Sequence, residues 1–81
     1  MILQVRLFAR ARDLGGADTV SVELPPGTTV AELRRRIGAV SPALVTLLPR
    51  CAVAVNGDFA ADDRIVLASD EVAILPPVSG G

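Results

Sequence analysis

The sequence predicts a single α+β domain in which one main helix packs on one face of a small mixed sheet. Three observations predict it. Two early segments alternate apolar and polar residues with the period of a strand. A later segment repeats apolar residues with the period of a helix, and the remaining apolar runs are short and bounded by Gly, Pro, Asn or Asp. The chain has 81 residues, 51% of them apolar, which is enough for one core and no more. With two Phe and no Tyr or Trp, that core must be aliphatic.

In Ile2 to Phe8, Leu3, Val5 and Leu7 fall on one side of a pleat and Gln4 and Arg6 on the other, giving a half-buried first strand. Ala9 to Asp18, with Arg10, Arg12, Asp13 and Gly15-Gly16, reads as a polar connector with room for one helical turn. A second strand follows at Thr19 to Leu24, where Val20, Val22 and Leu24 alternate with Ser21 and Glu23, and it is expected to pair antiparallel with the first. Pro25, Pro26 and Gly27 stop it. Thr29 with Glu32 three residues on has the spacing of a capping box, each side chain able to satisfy a free backbone amide.

Val30, Leu33, Ile37 and Val40 form the apolar face of the main helix, of about three turns. Arg34, Arg35 and Arg36 spread around its other side near the C-terminal end, where the dipole favours cations. Ser41 and Pro42 read as the N-cap and first position of a short second helix that contains Leu44, Leu47 and Leu48 and ends at Pro49. A third strand runs from Cys51 to Asn56, with Cys51, Val53 and Val55 alternating against Ala52 and Ala54, and Asn56-Gly57 supplies a tight turn into a brief return through Asp58 to Ala60. Asp62, Asp63 and Arg64 make a solvated bend before the short segment Ile65 to Leu67. Ser69-Asp70-Glu71 then turns the chain into the last strand, Val72 to Leu75. Residues 1–75 therefore form the domain and residues 76–81 a flexible C-terminal tail ending in Gly-Gly.

Composition removes several classes of function. Eight basic residues, all arginine, face nine acidic ones, so no basic field favours nucleic acid or anionic lipid, and two Phe serve base stacking poorly. One cysteine and no histidine exclude an internal disulfide, a cysteine metal cage and a hydrolase triad. No apolar run approaches a membrane span, and Gln4 and Arg6 interrupt the stretch a signal peptide would need. A cytoplasmic chain with neither nucleic acid nor membrane as partner is expected.

The tail carries the chemistry. Pro76 and Pro77 hold an extended approach with few backbone states to lose on binding. Gly80 and Gly81 lack Cβ atoms, so the last backbone atoms can enter a channel too narrow for any other residue and carry a carboxylate at the tip. An ATP-using partner can convert that carboxylate to an acyl-adenylate that sulfide or a thiol then attacks.

Strand alternation also predicts a partner surface. With Leu3, Val5 and Leu7 turned toward the helix, Phe8 faces the other way; with Val72 and Ile74 inward, Ala73 and Leu75 face outward. Phe59, beyond the Asn-Gly turn, can join them beside the tail's exit, although either Phe alone fits the underside of the core equally well.

Three other features have plainer readings. The three arginines fit a solvated helix face better than a phosphate site. Cys51 fits a small core residue better than a sulfur acceptor, having no His or Lys beside it in sequence. Asp62 and Asp63 fit a hydrated bend better than a cation site.

Leu7-Phe8-Ala9-Arg10-Ala11-Arg12-Asp13-Leu14, Val53-Ala54-Val55-Asn56-Gly57 and above all Asp70 to Gly81, closing in Pro76-Pro77-Val78-Ser79-Gly80-Gly81, resemble the molybdopterin synthase small subunit, over essentially the whole chain. Ser69 departs from the glycine that family often has there. The resemblance implies a ubiquitin-like β-grasp fold and a sulfur carrier that is not itself catalytic and binds no cofactor. An E1-like adenylyltransferase would use Mg-ATP to adenylate the carboxylate of Gly81, and a sulfur donor protein would turn it into a thiocarboxylate. The tail, Pro76, Pro77, Val78, Ser79 and Gly80 included, would then enter the large subunit, assembled as a heterotetramer, and give sulfur to cyclic pyranopterin monophosphate for the molybdenum cofactor. Phe8, Phe59 and Leu75 would bind that partner. A carrier for thiazole or cysteine synthesis, a ubiquitin-like protein modifier and a non-reactive interaction module are the alternatives.

Overall fold

A computed structural model describes residues 1–77; Val78, Ser79, Gly80 and Gly81 lie outside the described residues. The elements are β1 (Ile2–Leu7), α1 (Ala9–Gly15), β2 (Thr19–Glu23), α2 (Val30–Val40), 3₁₀ turns at Pro42–Leu44 and Leu48–Arg50, β3 (Ala52–Val55), β4 (Asp58–Phe59) and β5 (Val72–Leu75). The strands form one sheet in the order β2-β1-β5-β3-β4. The β1–β5 pair is parallel, with Val5 opposite Val72 and Leu7 opposite Ile74, and the other pairs are antiparallel. This mixed sheet with one main helix across it is the ubiquitin-like β-grasp arrangement.

Strand alternation and helix period meet in the core. Leu3, Val5, Leu7, Val53, Val55, Val72 and Ile74 point from the sheet into the space that Val30, Leu33 and Ile37 fill from α2, and all are buried. Each such side chain stabilises the fold by roughly 1.5–3 kcal/mol through burial. The start of α2 is closed by backbone and side chain together: the amides of Val30 and Ala31 donate to the carbonyls of Arg64 and Asp62, and that of Glu32 to Thr29 Oγ1 at 3.3 Å. Asn56 and Gly57, with φ of 53° and 86°, make the tight β3–β4 turn that the Asn-Gly pair predicts.

The structure corrects several expectations. The connector after β1 is a seven-residue helix, not a single turn; Gly16, at φ 75°, ends it by donating its amide to the Arg12 carbonyl. Its apolar stripe is legible only as small residues. Ala11 is fully buried, and a Cβ on Gly15 would sit 2.9 Å from Leu7 Cδ1, so small side chains permit the close approach. Strand β2 ends at Glu23, although Leu24 still donates to the Met1 carbonyl.

In α2, Val40 is exposed rather than part of the core stripe. Gly38 completes that stripe, because its missing side chain admits Val45 and Leu48. No basic residue lies in the last turn, so the three arginines answer to other partners rather than to the dipole: Arg35 and Arg36 to the Glu32 side chain, Arg34 mainly to backbone carbonyls. The capping box is half formed: Glu32 turns to Arg35 and Arg36 instead of the Thr29 amide. Ser41 makes no side-chain cap, and the expected second helix is two separate 3₁₀ turns, with Pro49 inside the second rather than ending the first. Pro49 is tolerated there because an amide in a first turn has no internal partner to lose. Ile65 to Leu67 forms no strand; Ile65 makes one bridge to Thr29, and only Val66 of the three is buried.

Candidate functional site

The face of the sheet opposite α2 has no covering element among the described residues. Its geometry follows from register. Arg6 lies opposite Ala73, Ala73 opposite Ala54 and Ala54 opposite Phe59, so one row crosses four strands. At about 4.8 Å per strand the row is roughly 14 Å long. The neighbouring row places Ala52 opposite Leu75. Three alanines thus make a low apolar floor, with Phe8 at one side and Phe59 at the other. Arg6, Phe8, Ala54, Gly57, Glu71 and Ala73 line a depression of about 170 Å³ there.

Neither phenylalanine closes the core. Phe8 keeps the extended backbone of β1 for one further residue, φ −122° and ψ 154°, so alternation carries its ring to the outer face, where it is 38% exposed. The Arg6 guanidinium stands 5.3 Å from the centre of that ring, a cation–π contact. Phe59, delivered by the Asn56-Gly57 turn, is 78% exposed. Leu75 and Pro76 are half-buried and Pro77 is exposed. The outer face therefore brings Phe8, Phe59 and Leu75 to one side of the sheet, and the chain leaves it through Pro76-Pro77. Val78, Ser79, Gly80 and Gly81 fall outside the described residues.

The turn into β5 is fixed by a polar network. Asp70 accepts the Leu67 amide at 2.7 Å and the Asn56 side-chain amide at 2.9 Å, while Asn56 accepts the Glu71 amide at 2.9 Å and donates its own amide to the Glu71 carbonyl. The Leu67 and Asn56 donors hold the Asp70 carboxyl below the usual carboxylate range. The sequence marks Asn56-Gly57 and Ser69-Asp70-Glu71 as separate turns, and nothing local shows that one holds the other.

The arginine triplet divides. Arg35 and Arg36 share Glu32 and lower its pKa, first through hydrogen bonds from Arg35 and then from Arg36. Arg34 is no solvated side chain: its Nη1 donates to the carbonyls of Leu48 at 2.6 Å and Cys51 at 2.7 Å, and its Nε to Asp62 Oδ1 at 3.2 Å. Asp62 is accordingly an ion-pair partner and helix-capping carbonyl rather than mere hydration. Cys51 is a core residue, its thiol donating to the Leu47 carbonyl at 3.3 Å. Burial pushes its pKa up against a smaller opposing pull from Arg34, so it is a poor nucleophile. Among the described residues no three His, Cys, Asp or Glu side chains gather as a metal site, and no helix is long and apolar enough to cross a membrane.

Comparison with known proteins agrees over the full length. The family model described as the ThiS family matches residues 5–81. The molybdopterin synthase sulfur carrier subunit of Arabidopsis thaliana is 35% identical, over 98% of this chain and 82% of its own. The crystal structure of small archaeal modifier protein 1 from Haloferax volcanii superposes with a TM-score of 0.88 at 30% identity, covering 100% of both chains. A chain in the complex of subunits 1 and 2 of molybdopterin-converting factor from Helicobacter pylori matches with a TM-score of 0.69 at 26% identity, again over 100% of both. With its β-grasp topology, its uncovered apolar sheet face and a family match that runs from β1 to the last residue, the chain belongs to the ThiS family.

Proposed function

We propose that this chain is the sulfur-carrier subunit of a molybdopterin synthase, with residues 1–75 as its β-grasp body and residues 76–81 as the arm that carries the sulfur. The observation that carries this reading is the course of β5. The middle strand of the sheet runs along the uncovered apolar face and leads directly into Pro76-Pro77, after which the sequence continues to Gly80-Gly81. The names borne by its relatives support the same assignment.

In this reading an E1-like adenylyltransferase joins the Gly81 carboxylate to the α-phosphorus of ATP, with Mg²⁺ in that enzyme's site, and pyrophosphate leaves. Sulfide equivalent from a sulfur donor protein attacks the acyl carbon and AMP leaves, giving a thiocarboxylate. The large subunit then holds the arm while the thiocarboxylate sulfur bonds to cyclic pyranopterin monophosphate, and water hydrolyses the acyl–sulfur bond, leaving the sulfur on the pterin and returning the carboxylate. Phe8, Phe59 and Leu75 bind the large subunit beside the arm, as apolar groups at the centre of an interface do. Pro76, Pro77, Val78 and Ser79 thread the channel, and Gly80 and Gly81 reach its end. The chain needs no base or cofactor of its own, since its partners supply both catalysis and substrate binding.

Intact-mass analysis of protein from cells with a working pathway tests this. A species heavier by one oxygen-to-sulfur exchange is expected, and deleting Gly81 should abolish sulfur transfer with the melting temperature nearly unchanged. A clean unmodified mass, under conditions that thiolate a known carrier, refutes the assignment. Likeness to small archaeal modifier protein 1 favours a second reading, in which a lysine of another protein captures the same adenylate. This chain has no lysine to accept a copy of itself, so a ladder of conjugates to other proteins on a denaturing blot would mark that role. Recovery with a thiazole synthase instead of the large subunit would redirect the sulfur to another pathway.

A further inference from the structure

The opposite side of the molecule carries a second concavity, of about 580 Å³, between α2 and the two 3₁₀ turns. Gly38, Ala39, Val45, Leu48 and Pro49 give it apolar walls, and Val45 is 53% exposed. Its volume lies within the range of about 300–1,000 Å³ in which proteins hold ligands and side-chain anchors. The walls are also fixed in place. Arg34 on α2 bonds the carbonyl of Leu48 in the second 3₁₀ turn, that of Cys51 just after it and the carboxylate of Asp62, so one guanidinium ties α2 to two of the other segments that line the groove. Little ordering would remain for a ligand to impose.

The rim has a sign. Of the residues that line it, Arg34 and Arg35 are cationic and Asp62 is anionic; Arg34 is bonded to Asp62, while Arg35 has to share the Glu32 carboxylate with Arg36. The surplus is one positive charge, in a chain whose net charge is −1. The Arg35 side chain, at the groove's edge, is 79% exposed. An apolar floor beside a surplus cation selects an apolar group with an anion next to it.

We propose that this groove is a second docking site, for a segment of a partner protein that presents branched aliphatic side chains flanked by carboxylates. It lies across the helix layer from Phe8 and Phe59, so the same chain can be held there while its sheet face and tail engage another protein. The site does not depend on what the tail carries.

The full chain, labelled with ¹⁵N, is titrated with the capped peptide acetyl-Asp-Glu-Leu-Leu-Asp-Glu-amide. Saturable shifts at the amides of Gly38, Ala39, Val45 and Leu48 are expected, with those of Phe8, Ala54 and Ala73 still. Affinity should fall about tenfold or more in Ala39→Leu, which fills the groove without changing charge, and in Val45→Asp, while Phe59→Ala binds as the parent does. Replacing the two leucines of the peptide by alanine, or its acidic residues by lysine, should weaken it to a similar degree. No saturable shift, shifts on the sheet face instead, or binding indifferent to Ala39→Leu and Val45→Asp would each overturn the proposal. So would concentration-dependent self-association of the chain through these same residues, because a second copy would then be the occupant.

Discussion

Phe59→Ala removes a ring that is 78% exposed at the end of β4, so its effects on docking and on folding should separate. A phenylalanine side chain offers on the order of 180 Å². About 40 Å² of it is buried in the free chain, worth ~1 kcal/mol at about 25 cal/mol per Å². For a domain of this size that lowers the melting temperature by roughly 4–8 °C. The remaining ~140 Å² would be buried only on docking and is worth at most about 3.5 kcal/mol. Immobilising the ring costs about 0.5–1 kcal/mol, leaving a net of roughly 2.5–3 kcal/mol. The dissociation constant for the molybdopterin synthase large subunit should therefore rise about a hundredfold. Titration calorimetry with that purified subunit, alongside a thermal melt of the variant, reads both quantities. An affinity change below about threefold, or a melting temperature lowered by more than about 15 °C, would refute the placement of Phe59 as an anchor rather than a structural residue.

Arg34→Met keeps the aliphatic stem but strips the carbonyls of Leu48 and Cys51 of a charged donor, and should cost about 3 kcal/mol by chemical denaturation. Asp62→Asn breaks only the exposed ion pair and should cost about 1 kcal/mol or less; equal losses would show that the ion pair, not the carbonyl bonds, does the holding. Gly57→Val forces a β-branched residue to φ near 86° and should cost roughly 1–2 kcal/mol, with an undiminished melt arguing against the tight β3–β4 turn. Folding holds the Asp70 pKa below its ordinary value of 3.8, so that stabilisation is fully present above this value and is lost as pH falls through the lower folded-state value. Stability measured by urea titration should decline on acidification through that window, and less steeply in Asp70→Asn. An unchanged slope in the variant would remove Asp70 from the account.

Much of the fold was legible because its signals are local. The alternation in Ile2 to Phe8 and Thr19 to Leu24, the run Val30, Leu33 and Ile37, and the Asn56-Gly57 pair each name their own conformation. Helix α1 is longer than the single turn the sequence suggests because its core-facing stripe is Ala11 and Gly15, residues that register on no hydrophobic pattern yet permit the closest packing. The break into two 3₁₀ turns was missed because Gly38 receives Val45 and Leu48, a contact between segments that no periodicity records. Of the candidate site, the outward direction of Phe8 and Leu75 followed from alternation alone. That neither Phe8 nor Phe59 enters the core needed the register, which sets Phe59 opposite Ala54 and Ala54 opposite Ala73.

By itself the sequence determined the aliphatic core, the order of strands and main helix, and the thin Gly-Gly end, since composition and period act on each residue where it stands. Only the tertiary structure decided that Arg34 is a clamp, that Asp70 holds the Asn56 turn, and that three alanines form a floor between two phenylalanines. These depend on residues far apart in the chain arriving within hydrogen-bond or strand-pair distance, and that geometry comes into being only when the chain has folded.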